Sequence, residues 1–156
     1  MKVTLKAGTA YLPRFVAAVV IVASATIVCA AEPPQFTDIF GEPLDIKDLP
    51  GETITPAVEK FFETGQDPYV GDENVLAEGK KLYQTNCQNC HMPNGSGRMG
   101  PSLIGDAHRY DRFTTDKGLF EIIYGGATKP MLAYGHRLEK DKILKLMAYV
   151  RSLKKD

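Results

Sequence analysis

The pentapeptide CQNCH, residues 87–91, constrains this chain more than any other feature. Two cysteines stand three apart and a histidine follows at once. A structural zinc site takes four ligands, usually as two Cys/His pairs. Only one such pair exists here, because the other histidines, His108 and His136, are too widely spaced to complete a finger. A thioredoxin-like dithiol places its C-x-x-C at a strand-to-helix junction of a βαβ unit, and no stretch of this chain reads as a parallel sheet. A disulfide between Cys87 and Cys90 would close too small a loop to constrain the unfolded chain much.

What remains is the attachment pattern for a c-type haem. Each thiol adds to one vinyl group, which gives two thioethers along one edge of the ring. The three-residue spacing on a helical turn sets the sulfurs the right distance apart. His91 then lies under the ring with Nε2 toward the iron. One motif means one covalently bound haem c, held by Cys87 and Cys90. The carbonyl of Pro101 is placed to accept a hydrogen bond from Nδ1 of His91, which would fix the ring and raise its basicity.

A low-spin electron carrier needs a sixth ligand, and methionine raises the potential of a His-ligated haem. Met92 and Met99 stay on the His91 side, and Met147 falls on the apolar stripe of a helix. Met131 follows His91 by 40 residues in a loop stiffened by Pro130, which also restricts Lys129. It is the expected second axial ligand. A bis-histidine haem through His108 or His136 is set aside, because DAHRYDR and YGHRLEK read as polar surface stretches.

The N-terminus supports an exported protein. Lys2, Lys6 and Arg14 precede the apolar run Phe15–Ala30, and small residues follow, which is the form of a secretory signal cleaved near Ala30. The run is short for a membrane span, which takes about 20 residues. Without residues 1–30 the chain keeps 16 Lys/Arg against 19 Asp/Glu and loses Cys29. Those charges are divided unevenly. Residues 31–86 carry four basic and twelve acidic side chains; residues 87–156 carry twelve and seven. Such a profile does not fit a nucleic-acid partner. It either steers a protein partner or only keeps the chain soluble.

The expected fold is all-α, with residues 31–73 as an N-terminal extended arm bearing one short helix and residues 74–156 as a haem domain. AEPPQ, GEPLD and DLPGE are turn signals. Thr55 as N-cap, Pro56 at N1 and Gly65 at C′ bracket the short helix, whose Phe61 and Phe62 need a surface to bury against. Further helices are expected from about Asn74 to Gln84, from Thr115 to Tyr124, and from Glu139 to Leu153. In the last, Ile143, Leu146, Met147, Val150 and Leu153 recur at helical spacing. Lys140, Lys142, Lys145 and Lys154 are expected to face away from that stripe.

With His91, Met131, Gly79, Tyr83 and GPSL in place, residues 75–153 resemble the class I c-type cytochromes. In that fold the first and last helices cross at a glycine and an aromatic, here Gly79 and Tyr149. AVEKFFETGQDPY, GLFEIIYGGATKPM and LMAYVRSL resemble more narrowly cytochrome cL and its relatives, with Lys129-Pro130 and Tyr134 standing where that family carries Gly-Gln and Trp. The resemblance implies a periplasmic monohaem electron carrier rather than an enzyme. It implies a quinoprotein methanol or alcohol dehydrogenase as donor and another cytochrome c or a terminal oxidase as acceptor, with no stable membrane insertion after signal cleavage. A carrier for an ethanol or methylamine dehydrogenase, a membrane-anchored subunit that retains residues 15–30, and a haem peroxidase are the competing readings. Arg109, Tyr110 and Arg112 are candidate partners for the haem propionates.

Overall fold

The computed structural model describes residues 32–106 and 108–153. The expected export signal, with Cys29, lies outside the described residues, as does Lys154. Five α-helices are present among the described residues: α1 (Pro56–Thr64), α2 (Glu73–Asn86), α3 (Gln88–His91), α4 (Asp116–Gly125) and α5 (Lys140–Ser152). A 3₁₀ turn, Asp111–Thr114, precedes α4 and was not expected from the sequence.

The helix ends follow local chemistry. The Thr55 hydroxyl accepts from the Val58 amide, Pro56 occupies the first turn, and Gly65 closes α1 at φ 72°, where a residue with a Cβ would be strained. Asp72 caps α2 and Thr115 caps α4 through their side chains. Both caps satisfy amides that have no partner inside the helix.

The helical domain is organised by the crossing of α2 and α5. At Gly79 a Cβ would stand 2.2 Å from the Lys145 carbonyl oxygen and 2.8 Å from Cβ of Tyr149. Only glycine lets the backbones approach so closely. Tyr83 and Tyr149 pack beside this point with ring centres 5.4 Å apart. Ile143, Leu144, Leu146 and Met147 are fully buried on α5, so Met147 belongs to the core.

The arm covers the back of this domain. Phe36 of the arm, Phe61 and Phe62 of α1, and Phe120 of α4 form one aromatic cluster, with Phe61 and Phe120 at 4.9 Å. That is the surface against which Phe61 and Phe62 bury. Hydrogen bonds fix the register: the Thr37 amide donates to Glu121 (2.8 Å), and the Lys47 amide to the Tyr124 hydroxyl (2.9 Å).

The lysines of α5 lie off the apolar stripe, as expected, but are engaged within the chain. Lys140 does not face solvent; it is 3% exposed. Its ammonium donates to Glu52 at 2.7 Å, Asp48 at 2.8 Å and the Lys47 carbonyl at 3.2 Å, all on the arm. Lys145 bridges Glu78 and Asp141. Lys142 pairs with Glu139. Periodicity finds the apolar face of a helix, but it cannot foresee that a distant acidic segment will fold over the other face. Burial pushes Glu52 up, but the hydrogen bonds from Lys140 and from the Leu49 amide outweigh it and hold the carboxyl below its ordinary value.

Candidate haem site

The side chains expected to attach the haem come from a single turn. Cys87 closes α2, and Cys90 and His91 lie on α3, the next turn of chain. Amides of Cys90 and His91 both donate to the Cys87 carbonyl, at 3.1 and 2.9 Å. Neither cysteine is in a disulfide. Burial raises the Cys87 thiol to about 12, with the neighbouring Cys90 adding to the effect, so the neutral form is kept in the apolar wall.

His91 is 7% exposed and its ring is fixed from two sides. Nδ1 stands 2.9 Å from the Pro101 carbonyl. A carbonyl only accepts, so Nδ1 carries the proton and Nε2 presents a lone pair. Gly100 packs against the other side, where a Cβ would lie 2.5 Å from Cε1. The loop that carries Gly100 and Pro101 is tied to the motif itself: the Gly97 amide donates to the His91 carbonyl (3.0 Å) and the Gly100 amide to that of Cys90 (3.0 Å). The Tyr83 hydroxyl donates to the Met92 carbonyl at 2.7 Å, where Met92 turns the chain at φ 64°.

Cys87, Cys90 and His91 line one wall of a mostly apolar cleft, and Met131 lines it as well. Leu119, Ile122 and Ile123 of α4 and Leu146 and Val150 of α5 contribute further to it. Met131 is half-buried in the loop after α4. The Ala127 amide donates to its carbonyl, and its own amide donates to Thr128, each at 3.3 Å. Tyr134, three residues on, donates its hydroxyl to the Asn86 carbonyl at 2.7 Å, which ties the Met131 loop to the end of the helix before CQNCH.

This cleft fits a haem. It is apolar, it carries two thiols and an oriented imidazole, and a thioether sulfur shares it. Met99 also lines it but is 61% exposed, and Met147 is sealed in the core.

Two expectations change at the rim. Arg112 does not line the cleft. Its guanidinium donates to the Thr37 and Asp38 carbonyls and to Glu121, at 3.1, 2.7 and 3.1 Å, so it anchors the arm. Arg109 and Tyr110 do line the cleft, and Tyr110 is hydrogen-bonded to Thr128 at 2.9 Å. His136 is exposed, as a polar surface stretch implies, but His108 is not a surface residue. It is half-buried in the cleft wall with its ring 4.3 Å from that of Phe113. The polar run DAHRYDR hid this, because the apolar partner Phe113 comes only five residues later. Among the described residues no helix is long and apolar enough to cross a membrane.

Comparison with known proteins agrees with this architecture. Residues 74–150 match the family described as cytochrome C oxidase, cbb3-type, subunit III. The chain is 39% identical over 116 residues to cytochrome c-L of Methylorubrum extorquens, which covers 74% of this chain and 59% of that protein. The chain thus spans about three fifths of the length of that curated relative. The crystal structure of cytochrome cL from Hyphomicrobium denitrificans superposes with a TM-score of 0.76 at 42% identity, over 80% of this chain and 76% of that one. Cytochrome cL from the marine methylotrophic bacterium Methylophaga aminisulfidivorans gives 0.75 at 38% identity, over 78% and 81%.

Proposed function

Because the chain belongs to the cytochrome cL family, we propose that it is a periplasmic one-electron carrier for a pyrroloquinoline-quinone methanol or alcohol dehydrogenase, passing electrons on to another cytochrome c or a terminal oxidase. Cytochromes of this class are electron-transfer proteins rather than enzymes, and their cofactor is one covalently bound haem c. We propose residues 1–30 as the export signal, 31–73 as the arm and 74–156 as the haem domain.

The observation that carries the reading is the meeting of CQNCH and Met131 in one apolar cleft. Cys87 and Cys90 are proposed to form the two thioethers, and His91 Nε2 and Met131 Sδ the two axial bonds. The bound haem supplies the Fe(III)/Fe(II) couple. The Pro101 carbonyl holds the His91 tautomer and increases its donor strength. The apolar wall from α4 and α5 excludes water and keeps reorganisation small.

The docking face follows from what the lip of the cleft exposes. Met99 and Leu132 are 61% and 60% exposed there, beside Pro130 and Lys129. The α5 lysines are engaged in ion pairs within the chain, so contact with the donor is proposed to be apolar, small and brief, as redox encounters are. Rapid mixing of the oxidised haem protein with purified methanol dehydrogenase and its substrate tests this. Reduction should be fast and only weakly dependent on ionic strength. Preferential reduction by an ethanol or methylamine pathway donor would overturn the choice of donor, and a steep salt dependence would overturn the apolar face.

A further inference from the structure

The loop that carries Met131 is held weakly by its own turn. The Ala127 amide donates to the Met131 carbonyl and the Met131 amide to that of Thr128, each at 3.3 Å, which is long for an amide hydrogen bond. Tyr134 holds the far end of the loop more firmly. Its amide donates to the Ile123 carbonyl at 3.0 Å, and its own carbonyl accepts from the Arg137 and Leu138 amides, both at 2.9 Å. The Arg137 guanidinium lies 4.6 Å from the centre of its ring. Its hydroxyl donates to the Asn86 carbonyl at 2.7 Å, across 48 positions of chain. Among the described residues this is the only hydrogen bond that joins the Met131 loop to α2.

The acceptor is significant. Asn86 ends α2, where carbonyls have no partner inside the helix, and the next residue is Cys87. One hydroxyl thus links the loop of the proposed sixth ligand to the turn of the proposed thioethers. Tyr134, Asn86, Cys87 and Met131 all line the same cleft.

We propose that the Tyr134 hydroxyl is the latch of the Met131 loop: it holds the thioether in the sixth position and so keeps small outside ligands from taking it. This rests on the haem reading above. Tyr134 is a positioning residue, because it acts through Met131. The physical ground is competition. An outside ligand reaches the sixth position only when Met131 withdraws, so its apparent affinity is its intrinsic affinity reduced by the fraction of protein whose loop is open. A bond present only in the closed loop makes that fraction smaller. A phenol keeps its proton across neutral pH, so the latch stays engaged there. A sixth position held shut confines the cofactor to electron transfer, because ligand chemistry needs that position open.

The test is an imidazole titration of the oxidised, haem-bearing protein, read from the loss of the methionine-to-iron charge-transfer band. Tyr134→Phe keeps the ring and removes the hydroxyl. Its affinity for imidazole should rise roughly fivefold, the factor that one intramolecular hydrogen bond typically contributes. Lys140→Met is the control for general loosening, since it breaks the buried pair with Glu52 on the arm, and its affinity should stay at the wild-type value. Unchanged affinity in Tyr134→Phe, or an equal rise in Lys140→Met, overturns the proposal. If Tyr134→Phe fails to take up haem, NMR of the wild type decides instead. The Tyr134 hydroxyl proton must be protected from exchange in the methionine-ligated protein and lose that protection at saturating imidazole; equal protection in both forms overturns the latch. A wild type that lacks the band before imidazole is added takes the Met131 reading down together with the latch. A wild type that shows it, beside unchanged affinity in Tyr134→Phe, sinks this inference and leaves the carrier reading standing.

Discussion

The seam between the arm and α5 and the cleft in front of it both bury polar groups, yet they finish in opposite states. At the seam Lys140, Glu52 and Asp141 find their partners inside the chain. Lys140 is 4% exposed at its side chain and Glu52 1%, and the two meet at 2.7 Å. Asp141 accepts from the Thr55 and Tyr69 hydroxyls, each at 2.8 Å, and from Lys145. At the cleft Cys87 and Cys90 form no disulfide, His91 engages the Pro101 carbonyl through Nδ1 alone, and Nδ1 of His108 has no partner among the described residues. One region is complete as protein. The other offers groups that a prosthetic group would engage. The contrast separates two uses of polar groups: Lys140 and Asp141 of α5 hold the arm, while Cys87, Cys90 and His91 at the cleft are the ones proposed to hold the cofactor.

If the seam is self-sufficient, breaking it should cost stability and spare the haem. Lys140→Met leaves Glu52 buried without a counter-charge, and a broken buried pair is destabilising by about 3–5 kcal/mol. Chemical denaturation should show that loss, while the ferric and ferrous spectra stay as in the wild type. Adding Glu52→Leu removes the stranded charge and should recover most of it. A spectral change in Lys140→Met, or no recovery in the double variant, would mean that the seam and the cleft are coupled.

A smaller effect is expected at Asp67, where the arm meets α4 and α5. This carboxyl is 6% exposed and one of its oxygens has no partner. Burial raises it to about 7, with Asp116 and Asp141 adding to the rise against the Tyr69 amide and Arg151. Its folded value lies above the ordinary value near 3.9. The folded state therefore keeps a proton that the unfolded chain has already released. The associated stability is fully present below about pH 4 and is lost as pH rises toward about 7. Asp67→Asn should remove that slope and make the protein more stable than wild type at about pH 8, by on the order of 1 kcal/mol. Thermal melts at acid and mildly alkaline pH would reveal it, and parallel pH profiles for the two proteins would contradict it.

The haem motif, the α1 caps and the helix crossing were legible in the sequence, because each rests on a local rule. C-x-x-C-H fixes its own spacing, Thr55, Pro56 and Gly65 announce α1, and Gly79 stands where a side chain has no room. The Phe36–Phe61–Phe120 cluster was half legible: the sequence said that Phe61 and Phe62 needed cover, without saying that Phe36 would supply it. Three features escaped. Lys140 reads as a solvent-facing helix lysine until Glu52, 88 residues earlier in the chain, folds over it. Arg112 reads as a cleft residue until the arm carbonyls claim it. His108 reads as surface because its neighbours in the chain are polar, whereas its neighbour in space is Phe113. The first two depend on long-range contacts between the arm, α4 and α5, which no local pattern records; the third is a local contact hidden by the polar residues that separate His108 from Phe113.

The central claim is that the cleft holds a haem between His91 and Met131. The most direct measurement is the optical spectrum of the oxidised protein, purified with its haem, for wild type and Met131→Ala. The wild type should be low-spin and show the methionine-to-iron charge-transfer band, and the variant should lose that band while the haem stays covalently attached through Cys87 and Cys90. A high-spin wild-type spectrum without the band, or a band that persists in Met131→Ala, would contradict it.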